Sequence, residues 1–226
     1  MRAAIFLNGA PDSEPLIQAV AGRADFVVAA DGGARYALAA GIVPDLIVGD
    51  MDSLGEDLAR EIERRGAELE RHPVKKDKMD GHLAVLTARE RGATAAEFVC
   101  GVGGKVGAVF ALPHILLAAE RLGLRSSAVA DWGRMFVVET GSRTVEGAVG
   151  DSVSAFPLAG QATGITLEGM AYPLTNATLE PGDTLGFHNE LLGEQGKVSV
   201  EGGTLLVVQE HTRNRVHGLQ AGQALE

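Results

Sequence analysis

A single cysteine, Cys100, stands in 226 residues, which excludes an internal disulfide framework. No grouping of Cys and His has the spacing of a structural zinc site, and Cys100 ends an apolar run, the setting of a buried inert thiol. Basic residues are also scarce: 20 Lys and Arg face 30 Asp and Glu, a formal net charge of −10. That balance repels polyphosphate, and no basic stripe with interleaved aromatics offsets it, so no nucleic-acid partner is expected. No run of about 18 apolar residues is present to cross a membrane. Met1 to Asn8 lacks the charged, apolar and small-residue segments of a signal peptide, so the expected location is the cytoplasm, with no membrane partner.

What is present suits a globular protein: 46% of residues are hydrophobic and 22% charged. In the first 126 residues, short apolar runs alternate with helix-like stretches. Ala3 to Leu7, Phe26 to Ala30, Leu46 to Val48, Glu97 to Cys100 and Ser127 to Ala130 read as buried strands. Glu14 to Ala21, Ala34 to Ala40, Leu54 to Arg65, Met79 to Arg91 and Ala111 to Leu122 read as helices, each followed by a glycine. Such a βαβ series predicts an α/β domain over 1–126 with a mainly parallel sheet. From about Asp131 helical periodicity is lost, and β-branched runs recur between turn residues: Phe136 to Glu139, Ser152 to Phe156, Gly164 to Leu167, Thr184 to Phe187, Lys197 to Val200 and Thr204 to Gln209. A β-sandwich domain over 127–226 is the expectation. The tail after Glu210 has no apolar period and reads as solvated.

Ligands of open α/β sheets gather at the carboxyl ends of strands. Four polar segments fall there. Asp31-Gly32-Gly33 follows Phe26 to Ala30; paired glycines let backbone approach a ligand, and a tight turn with Asp31 as helix cap explains them as well. Gly49-Asp50-Met51-Asp52-Ser53 follows Leu46 to Val48; in an extended segment Asp50 and Asp52 face one way and suit one metal ion, while helix capping accounts for only one of them. Lys75-Lys76-Asp77-Lys78-Met79-Asp80 opens a helix, with two carboxylates for metal and lysines for phosphate, or else a capping box. Gly101 to Gly107, with Gly103, Gly104 and Lys105, has the makings of a phosphate cradle without matching GxxxxGK[ST]. Convergence of all four on one sheet edge favours function over capping.

In order and spacing, ADGGARYALAAGIVPDLIVGDMDSL, KKDKMDGHLAVL, GVGGK and YPLTNATLEPGDTLGFHNE resemble thiamine pyrophosphokinases over nearly the whole chain. The resemblance implies an N-terminal α/β domain binding ATP and Mg²⁺, a C-terminal β-sandwich contributing the acceptor site, and a homodimer with active sites between subunits. It implies Mg²⁺ on Asp50, Asp52 and Asp77, with Asp80 in the same cluster. Asp31, Gly32 and Gly33 match the nucleotide-binding turn. Lys76, Lys78 and Lys105 are the expected phosphate partners. The chain departs from the family at Met79, where a threonine is common, and at two motifs. The usual GGRxDH reads Gly103-Gly104-Lys105-Val106-Gly107-Ala108, which loses the bidentate arginine fork and an Asp-His pair. The usual Ser-Asn-Glu reads His188-Asn189-Glu190, where His188 and Asn189 are the expected acceptor contacts. The implied activity is transfer of diphosphate from ATP to the thiamine hydroxyl. Its rivals are a pyrophosphokinase with another acceptor and a non-catalytic nucleotide or thiamine sensor.

Overall fold

The computed structural model describes residues 1–212, which divide into two compact units, the first Met1–Ala130 and the second from Asp131. The first unit runs β1 (Arg2–Phe6), α1 (Glu14–Gly22), β2 (Phe26–Ala30), a 3-10 turn (Asp31–Gly33), α2 (Ala34–Ala39), β3 (Leu46–Gly49), α3 (Glu56–Arg64) and β4 (Glu68–Arg71). It continues through α4 (Asp80–Glu90), β5 (Ala95–Val99), α5 (Val106–Arg121) and β6 (Arg125–Ala130). The division falls after β6, whereas the boundary read from sequence, 126/127, lies two residues inside that strand.

All six strands pair in parallel, in the order β6-β5-β1-β2-β3-β4. Alternation along each strand feeds two apolar layers, as a sheet covered on both faces requires. Ala4, Phe6, Ala29 and Ile47 pack with Ile17, Ala37 and Ile62 of α1, α2 and α3, whereas α4 lies against β1, β2 and β3, and α5 against α4 and β6. From β1 the chain steps outward to β4 and then returns to β5 on the other side of β1. The sheet's switch point thus lies between β1 and β5, where the loops after neighbouring strands part and leave a crevice.

The sequence reading misses β4 because ELER has no apolar alternation: it is an edge strand paired only with β3, and its charges are used in ion pairs, Arg71 with Glu56 and Glu68 with Arg91. Helix starts also shift. α3 begins at Glu56, behind a Gly55 that offers no side-chain cap, and α4 begins at Asp80, so Asp77 stands before the helix and not in its first turn. α5 begins at Val106, earlier than the expected Ala111, because Gly107 and Ala108 are helical.

The second unit is antiparallel: β7 (Gly133–Glu146), β8 (Ser152–Pro157), β9 (Ala162–Glu168), β10 (Leu174–Leu179), β11 (Asn189–Glu190) and β12 (Gln195–Glu210). The expected strands Lys197 to Val200 and Thr204 to Gln209 are one strand, β12, with a register shift between Val200 and Thr204. One edge of β12 follows β7 throughout. Its other edge passes from β9 to β8 at that shift, which wraps the sheet around a core of Phe136, Val145, Ile165, Val198, Leu205 and Val207. Thr184 to Phe187 forms turns and not a strand, and β10 has no counterpart in the reading from sequence. The tail's expected solvation concerns, beyond Thr212, residues outside those described.

Candidate functional site

At the carboxyl ends of β1, β2, β3 and β5 the first unit opens a cleft of about 300 Å³, lined by Asn8, Asp31, Asp50, Asp52, Asp80 and Lys105, with apolar floor from Leu7 and Leu112. Four of the five acidic positions singled out at strand ends, Asp31, Asp50, Asp52 and Asp80, thus line one space.

Asp31 is held by burial and by backbone. It is 2% exposed, and its two carboxylate oxygens accept the N–H groups of Ser53 (3.1 Å) and Leu54 (3.2 Å). It caps the turn after β3, then, and not its own helix. Burial, set against those hydrogen bonds, pushes its pKa above the ordinary carboxylate value. One helical turn on, Arg35 donates from Nη2 to the carbonyls of Ser53 (2.8 Å) and Leu54. The Ser53–Leu54 backbone is therefore gripped at its donors by Asp31 and at its acceptors by Arg35. Arg35 is a positioning residue that sequence reasoning missed; its spacing of four from Asp31 was the available signal.

The segment carrying Asp50 and Asp52 is a turn and not the expected extended stretch. Met51 adopts a φ of 64° and sinks its side chain into the core at 1% exposure, so the residues on either side face outward. Asp52 N–H donates to Asp50 Oδ1 (3.2 Å), and Ser53 Oγ donates to Asp52 Oδ1 (3.1 Å). Oxygens of Asp31, Asp50 and Asp52 lie within 4.8 Å of one another. Gly49 makes the approach possible: a Cβ there would lie 2.9 Å from Asp31 Cβ and 3.2 Å from Asp80 Cγ.

Lys76 reaches into this group, 2.8 Å from Asp50 Oδ2 and 2.8 Å from Asp80 Oδ1. Its hydrogen bond holds the Asp50 carboxyl below the ordinary range. Burial works against the Lys76 ammonium, yet Asp50 and Asp80 outweigh it and raise its pKa. Asp80 Oδ1 is sealed from solvent, with the Lys76 ammonium as its near partner. A sealed carboxylate oxygen beside the cluster of Asp31, Asp50 and Asp52 suits a hard divalent cation. Asp77 and Lys78 are exposed, and Asp77 is outside the cluster of three.

The glycine pair is set by close packing. Gly32 and Gly33 are buried; a Cβ on Gly32 would meet the Asn8 amide at 2.4 Å, and one on Gly33 the Phe6 carbonyl at 2.4 Å. They seat the β2 turn against the end of β1, and it is Asn8 that lines the cleft. Gly103 and Gly104 likewise pack on the loop of Gly9 and Ala10, which delivers Lys105 to the cleft at the start of α5.

In the second unit, Asn189 is buried and spends its amide on structure. Oδ1 accepts from Tyr172 N (2.8 Å) and Nδ2 donates to the Tyr172 carbonyl (2.6 Å). His188, at a φ of 60°, lies edge-on to Phe187 with ring centres 4.6 Å apart, and Phe187 is half exposed.

Comparison with known proteins places both units. The sequence pattern of the thiamin pyrophosphokinase catalytic domain matches residues 17–125, and that of the thiamin pyrophosphokinase vitamin B1 binding domain matches 143–205. The thiamine pyrophosphokinase of Bacillus subtilis is 26% identical over 183 residues, 80% of this chain and 86% of that protein. The crystal structure of the thiamin pyrophosphokinase from Geobacillus thermodenitrificans superposes with a TM-score of 0.78 at 26% identity, covering 94% of this chain and 99% of the other. That of the Bacillus subtilis protein shares the fold at a TM-score of 0.80 and 23% identity, over 93% and 99% of the two chains. With both of its units matched in order and relatives alike over most of its length, the chain belongs to the thiamine pyrophosphokinase family.

Proposed function

We propose that this chain transfers a diphosphate group from ATP to the hydroxyl of thiamine, with Mg²⁺, at the carboxylate cleft of its first unit. The observation that carries the reading is the gathering of Asp31, Asp50, Asp52 and Asp80 around one cleft that Lys105 also lines. Asp50 and Asp52 would hold Mg²⁺, with Asp80 completing the group; Asp31, buried against the same turn, orients them. Asp77, exposed on the segment before α4, would join only if that segment moves inward. The cation would supply charge neutralisation at the phosphates.

Lys105 and the uncapped N–H groups at the start of α5 face the cleft with positive character, suited to phosphate oxygens. Lys76 and Lys78 are further phosphate partners, and Gly32, Gly33, Gly103 and Gly104 shape the loops that would carry the nucleotide. The acceptor's hydroxyl oxygen attacks the β-phosphorus; the bond from that phosphorus to the α–β bridging oxygen breaks, AMP departs, and the hydroxyl proton passes to solvent or to Asp80. Alignment and charge neutralisation carry most of such a reaction. His188 and the Phe187 face would receive the acceptor ring, with Asn189 holding the loop beside it. Homodimer formation is part of the reading. Exposed Val106 and Phe110, one turn apart on α5, are the apolar surface such an interface would cover. The cytoplasm is its proposed location.

A second reading, a pyrophosphokinase for a different hydroxylated heterocycle, is favoured by the bulk and hydrogen-bonding capacity of His188 beside Phe187. One assay separates the two. Purified protein is incubated with ATP, Mg²⁺ and thiamine, and AMP and thiamine diphosphate are quantified together, beside Asp50→Ala. Equal amounts of both products, lost in the variant, are expected. AMP with other heterocycles and not with thiamine would transfer the conclusion to the second reading, and ATP binding without AMP from any acceptor would leave only a sensor.

A further inference from the structure

Four carboxylates converge on the cleft, and one ammonium is paired with them. Lys76 Nζ stands 2.8 Å from an oxygen of Asp50 and 2.8 Å from an oxygen of Asp80, and its side chain is 14% exposed. Its neighbours Lys75 and Lys78 are exposed. Among the described residues, no ion pair is seen for either of them. The segment before α4 thus turns one of its three lysines inward and leaves two outside.

The position is exclusive. Two oxygens sharing one Mg²⁺ do so at about 2.1 Å, which puts the ion in the space the ammonium fills. Asp80 Oδ1 is sealed from solvent, so Lys76 is the cation it faces. An ammonium shared between two carboxylates offsets their repulsion and leaves part of their coordinating capacity unused.

We infer that Lys76 is the resident counter-cation of this site, holding Asp50 and Asp80 in the cation-free protein and leaving them when a divalent cation binds. The inference rests on the proposed reading only in taking these carboxylates as a cation site. Lys76 then has two positions. In the first it keeps the acidic cluster folded and charge-balanced; in the second its ammonium is released at the mouth of the cleft, free to meet an anion. Divalent affinity is lowered by the fraction of molecules in which Lys76 occupies the oxygens, and removing the lysine removes that handicap.

The experiment titrates Mn²⁺ alone, without nucleotide or acceptor, so that failure of diphosphate transfer and failure of this inference are separately visible. Calorimetry on the wild-type chain, Lys76→Met and Lys76→Arg is expected to give roughly tenfold tighter Mn²⁺ binding for Lys76→Met, and near wild-type binding for Lys76→Arg, which keeps a cation able to pair with both carboxylates. Equal or weaker binding by Lys76→Met overturns the inference. A second measurement needs no variant: acylation of lysines in the folded wild-type chain, read by mass spectrometry. Lys76 labelling should rise on Mn²⁺ addition while Lys75 and Lys78 stay constant, and unchanged Lys76 labelling overturns the inference equally.

Discussion

Each unit seals a carboxylate oxygen from water, that of Asp151 in the second unit and Oδ1 of Asp80 in the first, and the two are partnered differently. Asp151, fully buried in the second unit, accepts hydrogen bonds from Ala148 N (3.0 Å), Thr212 N (3.1 Å) and Gln209 Nε2 (3.2 Å), with His211 Nδ1 at 3.5 Å. Burial alone would raise its pKa, but those donors outweigh it and hold the carboxyl below the ordinary range. In the first unit, Asp80 Oδ1 is sealed and shares one lysine with Asp50. Saturated donors make Asp151 a fastener of the second unit. One lysine between two carboxylates is what a binding site can use, since groups already satisfied have nothing to gain from a ligand.

The comparison can be broken most forcefully at Asp52. This side chain is exposed, so Asp52→Ala should leave the urea midpoint unchanged while lowering kcat/KM by about 10²–10³-fold, the scale of losing one electrostatic partner of the transition state. A variant that loses stability and keeps activity would make Asp52 a fastener like Asp151. The reverse signature belongs to Asp151→Asn, which leaves buried donors facing each other and should cost about 2–3 kcal/mol in urea unfolding, with activity per folded molecule preserved. Because the folded carboxyl titrates below its unfolded value of 3.8, its contribution is complete above that pH and is lost as pH falls through the folded pKa. The gap between wild type and Asp151→Asn should accordingly close on acidification; a constant gap from pH 7 to pH 3 would show that the charge of Asp151 is irrelevant. The smallest effect is expected at Arg35, which touches backbone alone. Arg35→Met should weaken Mn²⁺ binding by roughly 3–10-fold, about 1 kcal/mol, with a lysine restoring part of it because one donor can still reach Ser53 O. Equal binding by all three chains would separate the Arg35 contacts from the geometry of Asp50 and Asp52.

Much of the first unit was legible in the sequence because βαβ periodicity is local: apolar runs of strand length, helices and glycine stops lie in chain order, and the polar segments after the strands fix where a cleft must open. What was not legible depends on contacts distant in the chain. Asp31 reads as a cap for the helix next to it, and only the fold reveals that its oxygens serve Ser53 and Leu54, over 20 residues away. Gly32 reads as room for a ligand, yet the space is taken by Asn8. Met51 reads as a spacer between two carboxylates, whereas its burial is what turns both outward. Asp77 reads as part of a helix's first turn, whereas the helix starts at Asp80 and leaves it on the preceding segment. In the second unit the alternation of Lys197 to Gln209 was visible as two strands because Gly202-Gly203 between them reads as a turn, whereas Gly203, at a φ of 88°, serves the register shift that joins them.

That joined strand has a consequence for synthesis. β12 is the partner of β7, of β8 and of β9, so three strands made earlier wait for a template that leaves the ribosome after them. The first unit has a delay of its own, since β1 waits for β5, but β5 and β6 are both made before any strand of the second unit. During translation the carboxylate cleft can therefore assemble while the second unit is still an open set of edges, and residues 195–210 are the last that must emerge before those edges are covered.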